Sequence, residues 1–93
     1  MPLLTPDELE TALRTLPGWD TDGHALARQF TFESFPDAIA FVTRLAFEAE
    51  RADHHPDLLV TYRKVLVTWS THSEGGVTGK DIAGARAADA CAR

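Results

Sequence analysis

Glu50-Arg51-Ala52-Asp53-His54-His55-Pro56 sets two imidazoles beside two carboxylates, and a third imidazole, His72, closes the segment Ser70-Thr71-His72. Three of the four histidines fall within 19 positions. Imidazole, with an ordinary pKa of about 6.5, both gives and takes a proton near neutral pH, and it is also a common metal ligand. As acids and bases, imidazoles in different protonation states can donate a proton at one atom and remove one at another, which is what loss of water from a carbinolamine requires. That chemistry needs no nucleophile and no redox cofactor.

Metal binding is the competing reading. Adjacent side chains such as His54 and His55 point opposite ways on extended backbone, unlike an i, i+4 pair on a helix. A zinc site would also need further ligands, for which Asp53, Asp57 and Asp81 are the carboxylates at hand. A third reading makes the histidines ordinary turn residues. Three of them converging with acids favour proton transfer.

The elements that position these residues show in the hydrophobic pattern. Thr5, Pro6 and Glu8 form a helix start with a capping box, Leu9, Ala12, Leu13 and Leu16 make its apolar stripe, and Pro17-Gly18 ends it. Beyond Trp19 and the Asp22-Gly23 turn the period changes to two, with Leu26, Phe30 and Phe32 on one parity, so a hairpin is expected. A long helix opens at Phe35-Pro36-Asp37 and carries Ala38, Phe41, Val42, Leu45 and Ala49 at helical spacing. Pro56 disfavours helical geometry at His55, so this helix is expected to end around Ala52 to His54. Glu50, four positions before His54, would reach it if the helix runs that far.

Two β-prone runs follow, Leu58 to Tyr62 and Val65 to His72, with Arg63-Lys64 as the expected turn. Val65, Val67 and Trp69 share one face of the second run; Leu66, Thr68, Ser70 and His72 share the other, so the strand would deliver His72 at its end. Thr78 and Asp81 begin a last, alanine-rich helix with a second capping box. The expected architecture is α+β, a single domain over residues 1–93 in the order α-β-β-α-β-β-α, with a four-stranded antiparallel sheet covered by helices.

Composition narrows the function. At 93 residues the chain has room for one core, and 44% apolar with 25% charged residues is ordinary for a globular domain. A net charge of −5 with scattered cations argues against nucleic acid as partner. The N-terminal Met1-Pro2-Leu3-Leu4-Thr5-Pro6-Asp7-Glu8 lacks a cationic region and a long apolar stretch, so neither leader nor membrane anchor is expected, and the expected location is the cytoplasm. The single cysteine, Cys91, cannot form an internal disulfide.

Glu50-x3-His54-His55-Pro56, five residues to Tyr62, nine more to His72 and eight more to Asp81 make a spacing that resembles the pterin-4a-carbinolamine dehydratases. Pro17-Gly18-Trp19, the Leu26-x-Arg28-x-Phe30-x-Phe32 strand and Ser70-Thr71-His72 also resemble that family, and the likeness runs from Thr5 to about Asp89. The resemblance implies dehydration of 4a-hydroxytetrahydropterins to quinonoid dihydropterins, in recycling of the tetrahydrobiopterin used by aromatic amino-acid hydroxylases, with no metal and no cofactor. By motif position, His54 and His72 would act as acid or base at the 4a-hydroxyl, and His55 would mainly hold the pterin. Asp53, His54, His55 and the segment Ser70, Thr71, His72, Ser73 would line the pocket, with Trp19 as an aromatic wall and Glu50 and Asp81 as supporting carboxylates.

Some of these positions have plainer readings beside the implied ones. Trp19 fits core packing equally well, Asp81 fits a helix cap, Tyr62 a hairpin end, and His24 an exposed turn. The chain departs from the family at Leu58 and Leu59, where an aromatic residue, often Trp, commonly follows. The resemblance further implies a homodimer or homotetramer. A non-enzymatic assembly or coactivator module on the same fold is the alternative.

Overall fold

The computed structural model describes residues 2–93. Helix α1 (Pro6–Leu13) starts at Thr5, whose hydroxyl accepts from Glu8 N at 3.1 Å while Thr5 N donates to Glu8 Oε1 at 2.8 Å. These reciprocal bonds satisfy two donors that a helix start leaves open. The helix is one turn shorter than its apolar stripe, and Leu16 is buried in the turn beyond it. Strands β1 (Asp20–Thr21) and β2 (Leu26–Thr31) form the first hairpin, and Trp19 precedes β1 as a buried core residue.

Helix α2 (Phe35–Ala52) is capped by Ser34 and buries Ala38, Phe41, Leu45 and Ala49, the stripe expected from sequence. Strands β3 (Asp57–Thr61) and β4 (Lys64–Trp69) follow, a three-residue 3₁₀ turn covers His72–Glu74, and α3 (Gly79–Cys91) closes the chain. The four strands lie in the order β1-β2-β4-β3, every pair antiparallel. The architecture is therefore the expected single α+β domain.

Register shows which side of the sheet carries the helices. Trp69 pairs with Leu26 and Val65 with Phe30, and all four are buried on the helix-covered face. Phe41 of α2 packs on this face, 4.9 Å from Phe30 and 5.0 Å from Phe32 between ring centroids. Burial of such rings is worth roughly 1.5–3 kcal/mol each and anchors α2 to the sheet. α3 lies against the same face through Gly84, where an added Cβ would stand 2.6 Å from two atoms of the Trp69 indole. Only a glycine lets this helix come so close.

Two local details differ from the sequence reading. The second hairpin turns at Tyr62-Arg63, one residue earlier than expected, because Thr61 pairs with Lys64. Tyr62 takes φ 55° there and is exposed. And β4 ends at Trp69, so His72 is not a strand residue but the first residue of the 3₁₀ turn. A bridge between Thr71 and Gly76 closes the loop around that turn, with Gly75 at φ 75°. Among the described residues no helix is long and apolar enough to cross a membrane.

Candidate active site

The exit of α2 arranges the histidine pair. Asp53 adopts the left-handed conformation, φ 51° and ψ 43°, and its N–H returns to the carbonyls of Ala49 and Glu50. Asp and Asn tolerate this region better than most side chains, so the residue before the pair works as a C-cap. Because the helical path stops here, the i, i+4 relation between Glu50 and His54 is broken. Glu50 Oε1 instead meets His55 Nε2 at 2.7 Å, and His54 turns inward. The expected Glu50–His54 contact is thus replaced by a Glu50–His55 contact.

His54 Nε2 lies 2.6 Å from Asp81 Oδ1. The His54 side chain is 12% exposed and Asp81 is fully buried, whereas His55 and Glu50 are 57% and 80% exposed. A buried carboxylate is tolerable only when its oxygens are hydrogen-bonded. Asp81 Oδ2 accepts from Thr78 N and from the Thr71 hydroxyl, both at 2.8 Å. Asp81 is therefore both the capping-box residue of α3 and the partner of His54: one oxygen serves the helix start, the other the imidazole.

A carboxylate that only accepts hydrogen bonds dictates that His54 donates from Nε2, leaving Nδ1 as the proton acceptor. Among the described residues no hydrogen bond engages that Nδ1. The His54 ring is further fixed by stacking on Trp69, with centroids 5.5 Å apart and planes 19° apart. A cleft of about 140 Å³ opens beside this pair, lined in part by Ala49, Ala52, His54, Trp69, Gly84 and Ala87.

Thr71 joins the two parts of the site. Its buried hydroxyl reaches Asp81, so the segment leading to His72 and the one carrying His54 meet at a single carboxylate. His72 and Ser73 are exposed on the 3₁₀ turn and Ser70 is half-buried before it. No hydrogen bond links His72 to His54 or His55 among the described residues. Nor does any group of three His, Cys, Asp or Glu side chains there have the placement to hold a metal ion.

Trp19 is tied to another part of α3. Its indole N–H donates to Asp89 Oδ1 at 3.0 Å, the atom that also receives Arg28 Nη1 at 2.8 Å, and its ring meets Phe30 edge-on at 6.0 Å. Asp89 sits eight residues beyond Asp81, about 12 Å along a helix axis. The aromatic ring against His54 is Trp69. Strand parity groups Trp69 with Val65 and Val67 on one face, and Thr78 is read as a cap; in the structure that face is the helix side, where α2 ends, so parity is the signal that could have found Trp69.

This arrangement, a buried Asp–His pair joining the α2 exit to the α3 start, sits on the segment that carries the family spacing. The family model described as pterin 4 alpha carbinolamine dehydratase matches residues 2–91. The chain belongs to this family. It is 50% identical over 91 residues to a "Putative pterin-4-alpha-carbinolamine dehydratase" of Nocardia farcinica, covering 98% of this chain and 96% of that one. A protein of the same name from Mycobacteroides abscessus is 49% identical over 89 residues, covering 96% and 95%. Among solved structures, a transcriptional coactivator/pterin dehydratase from Brucella melitensis is 45% identical with a TM-score of 0.93, over 98% of this chain and 99% of that one.

Proposed function

We propose that this protein dehydrates a 4a-hydroxytetrahydropterin, the 4a-carbinolamine, to the quinonoid dihydropterin, in tetrahydrobiopterin recycling. In that reaction the C4a–O bond breaks, the N5 electron pair forms the C4a=N5 bond, N5 loses its proton and water departs. One group must protonate the leaving hydroxyl and another must take the N5 proton. Imidazoles suit both tasks near neutral pH.

The observation that carries this reading is the His54–Asp81 pair, an imidazole fixed by a buried carboxylate on the segment that bears the family's spacing. His54, oriented through Nε2, has Nδ1 for proton exchange with substrate, and His72 on its turn is the complementary acid or base. His55, held by Glu50, contacts the pterin. Asp53, Ser70, the backbone of Thr71, Ser73 and Trp19 are the remaining candidates to line the pocket, and no metal or cofactor takes part. We further read the protein as cytoplasmic; the large apolar side chains that Phe47 and Leu59 leave exposed support a homodimer or homotetramer.

Stopped-flow decay of a synthetic 4a-hydroxytetrahydropterin, with wild type and the variants His54→Ala, His55→Ala and His72→Ala, tests the reading. Acceleration by wild type that is lost in His54→Ala and His72→Ala is expected; decay at the buffer rate with wild type would sink it. The Brucella melitensis relative is described as a transcriptional coactivator as well as a pterin dehydratase, which favours a second reading as a protein-contact module. A phenotype that survives replacement of all three histidines yet is lost on charging Phe47 or Leu59 would favour the module.

A further inference from the structure

Thr71, Thr78 and Asp81 are 6%, 0% and 0% exposed, and their polar atoms form a chain. Thr78 Oγ1 accepts from Lys80 N at 3.2 Å, Thr78 and Thr71 hydroxyl oxygens lie 2.8 Å apart, and the Thr71 hydroxyl lies 2.8 Å from Asp81 Oδ2. Asp81 Oδ2 also receives Thr78 N–H at 2.8 Å. Each hydroxyl has one proton to give, and a backbone N–H cannot reverse its role. Thr71 spends its proton on Asp81, so the Thr78 proton must go to Thr71. Every bond in the chain therefore runs one way, from the start of α3 to the carboxylate.

We propose that Thr71 and Thr78 are positioning residues for His54: their one-way chain keeps both donors on Asp81 Oδ2, so that Oδ1 accepts from Nε2 and Nδ1 is left as the only proton acceptor of the ring. This assigns the Thr71 side chain to the support of the imidazole rather than to contact with substrate. Its kinetic consequences rest on the dehydratase reading, whereas the tautomer of His54 does not.

The direction of the chain makes an unusual demand on Asp81→Asn. Thr78 N–H and the Thr71 hydroxyl both need an acceptor at the Oδ2 position, so the amide oxygen must take it and the NH2 group must face His54. His54 Nε2 then has to accept, and the ring proton moves to Nδ1. The backbone and packing can stay as they are.

Long-range ¹H–¹⁵N correlation spectra of the histidine rings read this without any substrate. Neutral His54 is expected as the Nε2–H form in wild type and the Nδ1–H form in Asp81→Asn. In the stopped-flow assay, Asp81→Asn is expected to lower kcat on the order of 10³–10⁴-fold with little change in KM, the loss that a wrong imidazole tautomer causes in serine proteases. Thr71→Val and Thr78→Val should each lower kcat about tenfold at constant KM, about 1.4 kcal/mol of transition-state stabilisation, and Thr71→Ser and Thr78→Ser should restore it. Adding Thr71→Val to Asp81→Asn should cost nothing more, because Thr71 acts through Asp81.

Retention of the Nε2–H form in Asp81→Asn would overturn the proposal. So would a Thr71→Val variant that raises KM and spares kcat, or losses that multiply in the double variant. If either valine variant fails to fold, the tautomer of Asp81→Asn and the serine variants decide. Wild type without dehydratase activity would remove the proposed function and leave the tautomer test standing.

Discussion

Two imidazole–carboxylate pairs stand one residue apart in this chain, with nearly equal distances and opposite surroundings. His54–Asp81 at 2.6 Å is largely shielded from water, and His55–Glu50 at 2.7 Å lies open to it. Distance alone would rank them together. In water, two exposed partners gain only about 0–1 kcal/mol from pairing, because solvent competes and salt screens. Out of water, the same contact is directional and costly to break, since each donor left without an acceptor loses roughly 1–3 kcal/mol. The lesson is that α2 uses its end to separate two adjacent histidines into different dielectric environments, and the left-handed Asp53 makes the separation.

The largest expected effect is on stability, through the buried pair. Asp81→Ala strips acceptors from His54, Thr71 and Thr78 N together, and urea denaturation should show a loss of about 3–5 kcal/mol. A loss under 1 kcal/mol would mean that burial does not distinguish the pairs. Next comes the wall behind the buried pair. Gly84→Ala puts a methyl group into the Trp69 ring on which His54 stacks, so a net loss of about 2 kcal/mol is expected from overpacking. Stability equal to wild type would show that α3 moves away freely.

These two positions also mark what the sequence could not show. The capping boxes at Thr5 and Thr78, the α2 stripe and the strand parities were legible because local spacing encodes them. The swap of partners was not, since Glu50 at four residues from His54 is a sound helical inference until one residue, Asp53, leaves the helix. Gly84 and the buried face of α3 were hidden too. That helix is alanine-rich all round, and its orientation comes from Trp69 on another element. His72 is expected at the end of its strand but lies three residues beyond it, because parity cannot tell where a strand stops. The family spacing, in contrast, was legible from Thr5 to Asp89 without any of this geometry.

Smaller effects sharpen the exposed side of the comparison. Glu50→Gln should change stability by less than about 0.5 kcal/mol, and 1 M salt should erase the difference; a salt-resistant loss would show the pair to be as shielded as its neighbour. The least effect concerns Cys91, half-buried near the end of α3. Burial pushes its thiol above the ordinary range and the charge of Glu48 adds to this, while Arg44 opposes it. A raised pKa means less thiolate at a given pH, so alkylation by iodoacetamide at pH 8 should be slower than for a fully exposed cysteine and should rise as pH rises. Equal rates would contradict the shift.

The most direct test sets the two pairs against each other in one assay, the single-turnover decay of a 4a-hydroxytetrahydropterin with Asp81→Asn and Glu50→Gln measured beside wild type. The buried pair should dominate: a fall of about 10³-fold or more for Asp81→Asn, against less than about tenfold for Glu50→Gln. Equal losses, or a greater loss at Glu50, would contradict the account.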